Sequence, residues 1–208
     1  MASCCAQKGC EVAALRARHG RVLRTVLIIN ALMFLVEGGA GLVARSTALL
    51  ADALDMLGDA LVYGLSLWAL GRSARWQAGA ALVKGGCMLA FGLGVLGEAA
   101  YKTLHPSVPA ATTMGLVGAA ALLANLLCFC LLYRHRSDNL NLRSTWLCSR
   151  NDLIANAGVL LAAAGCEALT SRWPDVVVGS AIAGLCVGSA LGVLRGSMGA
   201  LRAPALPP

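Results

Sequence analysis

The sequence predicts an all-α integral membrane protein with six transmembrane helices and both termini in the cytoplasm. Of the 208 residues, 58% are hydrophobic and 13% are charged, whereas soluble domains carry about 25% charged residues. Apolar runs of roughly 20 residues recur along the chain, the length that crosses a hydrocarbon core about 30 Å thick. The positions of lysine and arginine predict how the helices are oriented.

Each apolar run ends at proline, glycine or clustered charges, which are typical of turns at a membrane surface. The predicted spans are residues 23–44, 47–70, 79–101, 111–133, 145–166 and 175–194. We therefore expect a cytoplasmic tail at 1–21, a transmembrane domain at 22–194 and a short cytoplasmic tail at 195–208. No signal peptide and no separate soluble domain are expected, so the membrane part is expected to act alone.

The basic residues lie mainly on one side of the predicted membrane. Thirteen Lys and Arg residues fall in the tails and near the connections after spans two and four, and Arg150 falls inside span five. Only Arg45, Lys102 and Arg172 fall on the opposite side. Because positive residues favour the cytoplasm, both termini are expected there. Membrane topology thus accounts for the net charge of +7, and no nucleic-acid partner is expected.

Nine cysteines occur without a C-x-x-C pair, which argues against a membrane redox enzyme. Five lie inside apolar runs, where a free cysteine behaves as a small hydrophobe. Cys4, Cys5 and Cys10 lie in the predicted cytoplasmic tail, where thiols stay reduced. One hypothesis is that these three capture soft metal ions for delivery to the membrane. The alternative is a disordered tail without this role.

Acidic residues inside the second span are the main functional signal. Asp52, Asp55 and Asp59 lie three and four residues apart, so they share one helical face. Charged residues within a bilayer are costly and usually mark ion or proton pathways. Two ionised carboxylates one turn apart would repel, so either one holds a proton or a cation lies between them.

The fifth span offers a partner for these acids. Cys148 and Asp152 lie one turn apart on one face, and Asn156 continues that face. Counting the rise along each helix, we expect Asp152 near the depth of Asp59. Two helices that each present two ligands at i and i+4 can form a four-ligand site of roughly tetrahedral geometry.

Three stretches of the chain resemble motifs of the cation diffusion facilitator family of metal/proton antiporters. Residues 30–41 resemble N-x-x-x-F-x-x-E-x-x-x-G, with Glu37 as the acid. Residues 46–59 resemble S-x-A-L-L-A-D-A-x-[HD]-x-x-x-D. Residues 141–152 resemble N-x-R-x-x-x-x-H-x-x-x-D, with Cys148 in place of the histidine. The resemblance extends over all six spans, without the family's C-terminal cytoplasmic domain, so a short form is expected.

The resemblance implies a metal site and a transport activity. The metal ligands that it implies are Asp55, Asp59, Cys148 and Asp152. Secondary candidates are Asp52, Asn156 and Glu37. Carboxylates with one thiol favour Zn²⁺ or Cd²⁺, with Co²⁺ behind. We expect export from the cytoplasm in exchange for protons, no resident cofactor and no enzymatic activity.

The resemblance also implies a homodimer, and the partners expected besides metal ions are membrane lipids. The expected location is the bacterial inner membrane. One alternative is an uptake carrier or channel for soft, mercury-like metal ions, and another is a non-transporting partner of a larger assembly. The direction of transport follows from the resemblance and not from any single residue.

Overall fold

The computed structural model describes residues 2–68, 74–134 and 142–202. Side chains are described within residues 21–68, 75–133 and 152–202, except that of residue 66. In these ranges the chain forms six α-helices and no strand. The helices are α1 Ala2–Ala44, α2 Thr47–Trp68, α3 Ala74–Leu104, α4 Ala111–Arg134, α5 Leu142–Leu169 and α6 Trp173–Arg202.

Five of these helices are long and apolar enough to cross a membrane. Their spanning segments are Arg21–Ala44, Arg75–Leu104, Ala111–Tyr133, Asp152–Leu169 and Trp173–Arg202. The exception, α2, has 22 residues, which is long enough at 1.5 Å per residue, but it contains the three aspartates. The prediction of an all-α membrane protein is therefore confirmed, and the predicted orientation stays a prediction.

Some helix bounds differ from the predicted spans. α1 is one continuous helix from Ala2, so the segment predicted as a tail continues the first span. α3 and α6 extend beyond the predicted 79–101 and 175–194, because their amphipathic ends follow the apolar runs without a helix breaker. Pro174 does not interrupt α6, since proline is well tolerated in the first turn of a helix.

α1 and α2 form an antiparallel pair in close contact. A Cβ atom added at Gly41 would lie 3.0 Å from the Leu50 side chain, and one at Gly38 would lie 4.0 Å from Ala53. In each facing pair the two residue numbers add up to 91. The contact between Gly64 of α2 and Leu27 of α1 follows the same register. This register places residue 37 of α1 level with residue 54 of α2.

The main apolar core lies where α2 packs against the other helices. Its largest buried side chains are Leu49, Leu54, Met88, Met114, Val159 and Ile182. The outward faces are also apolar, with Leu42, Val43, Leu116 and Leu161 all at least 70% exposed. An exposed apolar surface of this kind is expected for helices whose solvent is lipid. The packing therefore agrees with a bundle that lies in a membrane.

Two of the connections at the end of the bundle opposite to the chain termini, here called the outer end, are tight turns. After α1, the Ser46 N–H donates to the Gly41 carbonyl (2.9 Å) and the Arg45 N–H donates to the Leu42 carbonyl (3.3 Å). These two bonds make a Schellman motif, which needs a left-handed residue after the helix. Arg45 takes that conformation with φ of 50°.

The turn after α5 follows the same plan. The Ser171 N–H donates to the Cys166 carbonyl at 3.3 Å, and Thr170 has φ of 46°. Neither left-handed position is a glycine, the residue that usually takes it. Only two residues separate α1 from α2, and α6 begins four residues after α5 ends. The turns after α1 and α5 are therefore short and hydrogen-bonded.

Candidate metal centre

Asp52, about 7.5 Å along α2 from Thr47 at a level here called mid-depth, has no exposed surface and contacts α5. One of its oxygens, Oδ1, accepts a hydrogen bond from Asn156 Nδ2 at 3.0 Å. The same Asn156 nitrogen donates to the Asp152 carbonyl one turn earlier in α5, also at 3.0 Å. Asn156 thus links the acid-bearing face of α2 to the predicted ligand face of α5. The two helices therefore meet through the residues that the sequence singles out.

The bond between Asp52 and Asn156 sets the relative depth of the two helices. α2 and α5 run in opposite directions, so Asp55, after Asp52, and Asp152, before Asn156, both lie farther from the outer end than this hydrogen bond does. These offsets are three and four residues, or about 4.5 and 6 Å along the axes. Asp152 therefore lies nearly level with Asp55, one turn farther out than the sequence argument placed it beside Asp59.

Glu37 adds a third helix to this region. Its side chain on α1 is fully buried, and the α1–α2 register places it between the levels of Asp52 and Asp55. It is close enough to both aspartates for their charges to interact with its own, and the charge of Asp152 likewise acts on Asp52. Acids from α1, α2 and α5 therefore share one electrostatic environment inside the bundle.

Several oxygens in this region have no hydrogen-bond partner. They are both carboxylate oxygens of Glu37, Oδ2 of Asp52 and Oδ1 of Asn156. Burying a polar atom without a partner costs roughly 1–3 kcal/mol, so such atoms are rare in structures. Oxygen atoms of this kind are the ligands that bind a hard or borderline cation. The cluster therefore has oxygens that are able to take up protons, and its role toward a metal ion stays a prediction.

The predicted ligands are only partly tested by this arrangement. Asp55, Asp59 and Asp152 are half-buried, and each takes part in interactions of its own. Among the side chains that the structure describes, no three of the types His, Cys, Asp and Glu lie close enough together to hold a metal ion. Cys148 lies outside those side chains, although α5 includes its backbone. The four-ligand set stays a prediction.

The hypothesis on the amino-terminal cysteines concerns residues outside the described side chains. Cys4, Cys5 and Cys10 lie in the first part of α1, where only the helix is described. Their proposed capture of soft metals stays a hypothesis. Within the described part, Cys128, Cys166 and Cys186 are buried in the bundle, whereas Cys87 and Cys130 are exposed on its apolar surface, and a cysteine in either place behaves as a small apolar side chain.

Sequence reasoning missed two charged residues at the outer end. Lys102 was counted as a connection residue, yet it is only 1% exposed and forms a salt bridge of 3.0 Å with the fully buried Asp175. Asp175 is simply the first residue of the predicted span 175–194. A carboxylate at a predicted helix start is the one signal that could have pointed to a capping role.

Comparison with known proteins identifies the family. Residues 23–201 match the cation efflux transmembrane domain. The chain belongs to this family, the cation diffusion facilitators, as the resemblance implied. It is an integral membrane protein of the bacterial inner membrane, and its family is one of cation efflux domains and not of enzymes.

Three curated relatives are named as metal transporters. The zinc transporter ZitB of Yersinia pestis is 29% identical over 171 residues, which are 76% of this chain and 54% of that protein. ZitB of Pectobacterium atrosepticum is 30% identical over 195 residues, 86% of this chain and 60% of that one. A cadmium, cobalt and zinc/H(+)-K(+) antiporter of Bacillus subtilis is 26% identical over 193 residues, 84% and 62% of the two chains.

The chain spans a little more than half the length of these curated relatives. The matched part includes Glu37 of α1, the three aspartates of α2 and Asp152 of α5. What the relatives bind and transport is described by their own names, and its extension to this chain is a proposal.

Proposed function

We propose that this protein exports divalent metal ions, Zn²⁺ or Cd²⁺ foremost and Co²⁺ behind them, from the cytoplasm in exchange for protons. The observation that carries the proposal is the buried cluster of Glu37, Asp52 and Asn156, which presents unpartnered oxygens from three helices. A purely structural cluster would pair these atoms within the protein. The family and the names of the relatives support the same activity.

The transported ion binds one turn nearer the cytoplasm, between α2 and α5. Its ligands are Asp55 and Asp59 from α2 with Cys148 and Asp152 from α5. A thiolate beside carboxylates favours Zn²⁺ and Cd²⁺, whereas an all-oxygen site would favour Mn²⁺. Asp52, Asn156 and Glu37 act as secondary ligands or as the outer wall of this site.

Proton exchange follows from the chemistry of the ligands. A carboxylic acid and a thiol lose their protons when they bind a metal, so metal binding releases protons. On the cytoplasmic side, metal displaces protons from the site. On the outer side, protons displace the metal, and the helices then change access around a site near mid-membrane. A proton gradient directed inward thus drives metal outward.

The assembly and the amino-terminal segment belong to the same proposal. We expect a homodimer in lipid, and Cys4, Cys5 and Cys10 capturing metal on the cytoplasmic side. Changing the three cysteines together to serine is expected to raise the half-saturating metal concentration of export. An unchanged value would remove the capture role and leave the transport proposal standing.

The proposal is tested by metal flux in vesicles that contain the purified protein. A pH gradient is imposed with equal K⁺ on both sides, and Zn²⁺, Cd²⁺, Co²⁺ and Mn²⁺ fluxes are measured. The variants are Asp59→Ala, Cys148→Ser and, as a control, Glu98→Gln, which changes a half-buried acid of α3 that is not among the proposed ligands. We expect loss of flux for Asp59→Ala, a changed metal preference for Cys148→Ser and normal flux for the control.

Two results would contradict this assignment. Normal metal–proton exchange by Asp59→Ala would show that the site is elsewhere. A wild-type protein that moves none of the four metals would contradict the transport function itself and favour a non-transporting role.

A further inference from the structure

The amino terminus of α2 is completed by a side chain from another helix. The first four N–H groups of any helix lack partners within that helix. In α2 the first two, from Thr47 and Ala48, donate to the carboxylate of Asp175 on α6, each at 2.9 Å. The next two donate to the hydroxyl and carbonyl oxygens of Ser46 at 3.1 and 3.2 Å. All four groups are satisfied.

Lys102 brings a third helix into this contact. Its ammonium group donates to Asp175 Oδ2 at 3.0 Å, to Thr47 Oγ1 at 2.9 Å and to the Arg45 carbonyl. The Ser46 hydroxyl donates to Asp175 Oδ1 at 2.7 Å. Both members of the ion pair are buried, at 1% and 0% exposure. This outer clamp, made of Lys102, Asp175, Ser46 and Thr47, therefore joins α2, α3 and α6.

The backbones of α2 and α6 approach closely beside the outer clamp. A Cβ atom added at Gly179 would lie 2.6 Å from the Thr47 carbonyl carbon and 2.7 Å from the Ala48 nitrogen. Gly179 is one turn after Asp175, so both residues are on the same face of α6. The absence of a side chain at Gly179 lets the Asp175 carboxylate reach the start of α2.

The outer clamp lies close to the acids of α2 along the same helix. Asp52 follows Thr47 by five residues, about 7.5 Å of helix. Because a helix is rigid, fixing its first turn fixes the depth and direction of the residues that follow. A shift of one residue in register would turn every acid of α2 by about 100° around the helix axis. The depth and direction of Asp52 and Asp55 therefore depend on how the start of α2 is held.

We propose that Asp175 and Lys102 are positioning residues for metal transport, which fix the outer end of α2 and thereby place the acids of α2 opposite α5. The inference rests on the proposed function, since it concerns the same acids. It adds two residues that touch no metal and that lie on α3 and α6.

The test separates positioning from the simple compensation of buried charge. Asp175→Asn and Lys102→Met each leave one buried charge without its partner, whereas the double variant Lys102→Met/Asp175→Asn removes both charges. Thermal unfolding is measured in detergent, and the half-saturating concentration and maximal rate of Cd²⁺ and Zn²⁺ transport are measured in vesicles. Glu98→Gln, on α3 near Lys102, is the matched control.

We expect the single variants to unfold at lower temperature and the double variant to recover most of that loss. The half-saturating metal concentration of the double variant should nevertheless stay about tenfold above that of the wild type, because a displacement of the ligands by about 1 Å strongly weakens a site that depends on exact positions. A double variant with restored stability and a wild-type half-saturating concentration would overturn the proposal and leave the pair with a structural role.

A conservative variant covers the case in which the double variant does not fold. Asp175→Glu keeps the charge and the pair with Lys102 but lengthens the contact by one methylene. We expect near-normal unfolding and a raised half-saturating concentration, and a wild-type value would overturn the proposal. Wild-type protein that transports neither metal would instead refute the proposed function, so the two failures are distinguishable.

Discussion

Buried charge is treated in opposite ways at two levels of the bundle. At the outer end, Lys102 and Asp175 are surrounded by donors and acceptors that use the capacity of both groups. At mid-depth, Glu37 and Asp52 are equally buried, yet three of their four carboxylate oxygens have no partner. The same helix, α2, takes part in both arrangements.

This contrast separates an ion pair that holds the fold from acids that are proposed to take part in transport. Desolvating an ion pair is repaid only when its geometry is good and further hydrogen bonds satisfy both groups. The outer clamp meets that condition. The mid-depth acids do not, and within a membrane such acids usually lie on ion or proton pathways. The outer clamp thus stabilises the fold, whereas the unpartnered acids at mid-depth lower its stability.

The largest expected effect is a loss of stability when the ion pair at the outer end is broken. Lys102→Met removes the cation and leaves Asp175 buried without its counter-ion. Breaking a buried pair in this way lowers the free energy of unfolding by about 3–5 kcal/mol. Thermal or denaturant unfolding in detergent measures the change. A loss below about 1 kcal/mol, as for an exposed pair, would show that water already solvates the pair.

A second variant tests the close approach of α6 to α2. Gly179→Ala places a methyl group against the backbone of Thr47 and Ala48. Overpacking of this kind lowers the free energy of unfolding by about 1–3 kcal/mol. Gly184→Ala is the matched control, since nothing lies within 4 Å of its added Cβ. Equal stability of the two variants would contradict the observed contact.

The third prediction concerns the pH dependence of metal binding at the proposed site between α2 and α5. Under the proposed function, metal binding at the carboxylates and thiol between α2 and α5 releases protons, so the half-saturating metal concentration should rise as pH falls, about tenfold per pH unit for each proton released. Calorimetric titration with Cd²⁺ between about pH 6 and 8 in two buffers of different ionisation enthalpy measures the affinity and the protons released. An affinity independent of pH would contradict the exchange of metal for protons.

The smallest expected effect is a change in stability when a mid-depth acid is replaced. Glu37→Met replaces a buried carboxylate without hydrogen bonds by an apolar side chain of similar length. Removing an unsatisfied group is expected to raise the free energy of unfolding of the metal-free protein by about 1 kcal/mol. Unfolding and flux are measured together, and flux should fall. A lower stability with normal flux would assign Glu37 to the fold.

The membrane fold could be predicted because length and apolarity decide it locally. Each run of about 20 apolar residues must form its backbone hydrogen bonds within itself in lipid, so helices follow from composition alone. The acid face of α2 was equally accessible, since Asp52, Asp55 and Asp59 recur at helical spacing. These features need no knowledge of which helices are neighbours.

The rest depends on contacts between distant residues. Lys102 and Asp175 are 73 positions apart, and a lysine beside a predicted connection is first interpreted as a topology signal. The depth of Asp152 was placed one turn away because the rise per residue fixes distance along a helix but not how two helices slide past each other. The left-handed Arg45 and Thr170 likewise have no glycine to indicate them.

The two-residue connection between α1 and α2 has a mechanical consequence. Arg45 and Ser46 are both held by hydrogen bonds, so this connection leaves the two helix ends little freedom to move apart. Because α1 and α2 are also closely packed along their length, a tilt of one helix is expected to move the other, with Glu37 and Asp52 together. Any opening around these acids is then expected where α1 and α2 meet the other helices.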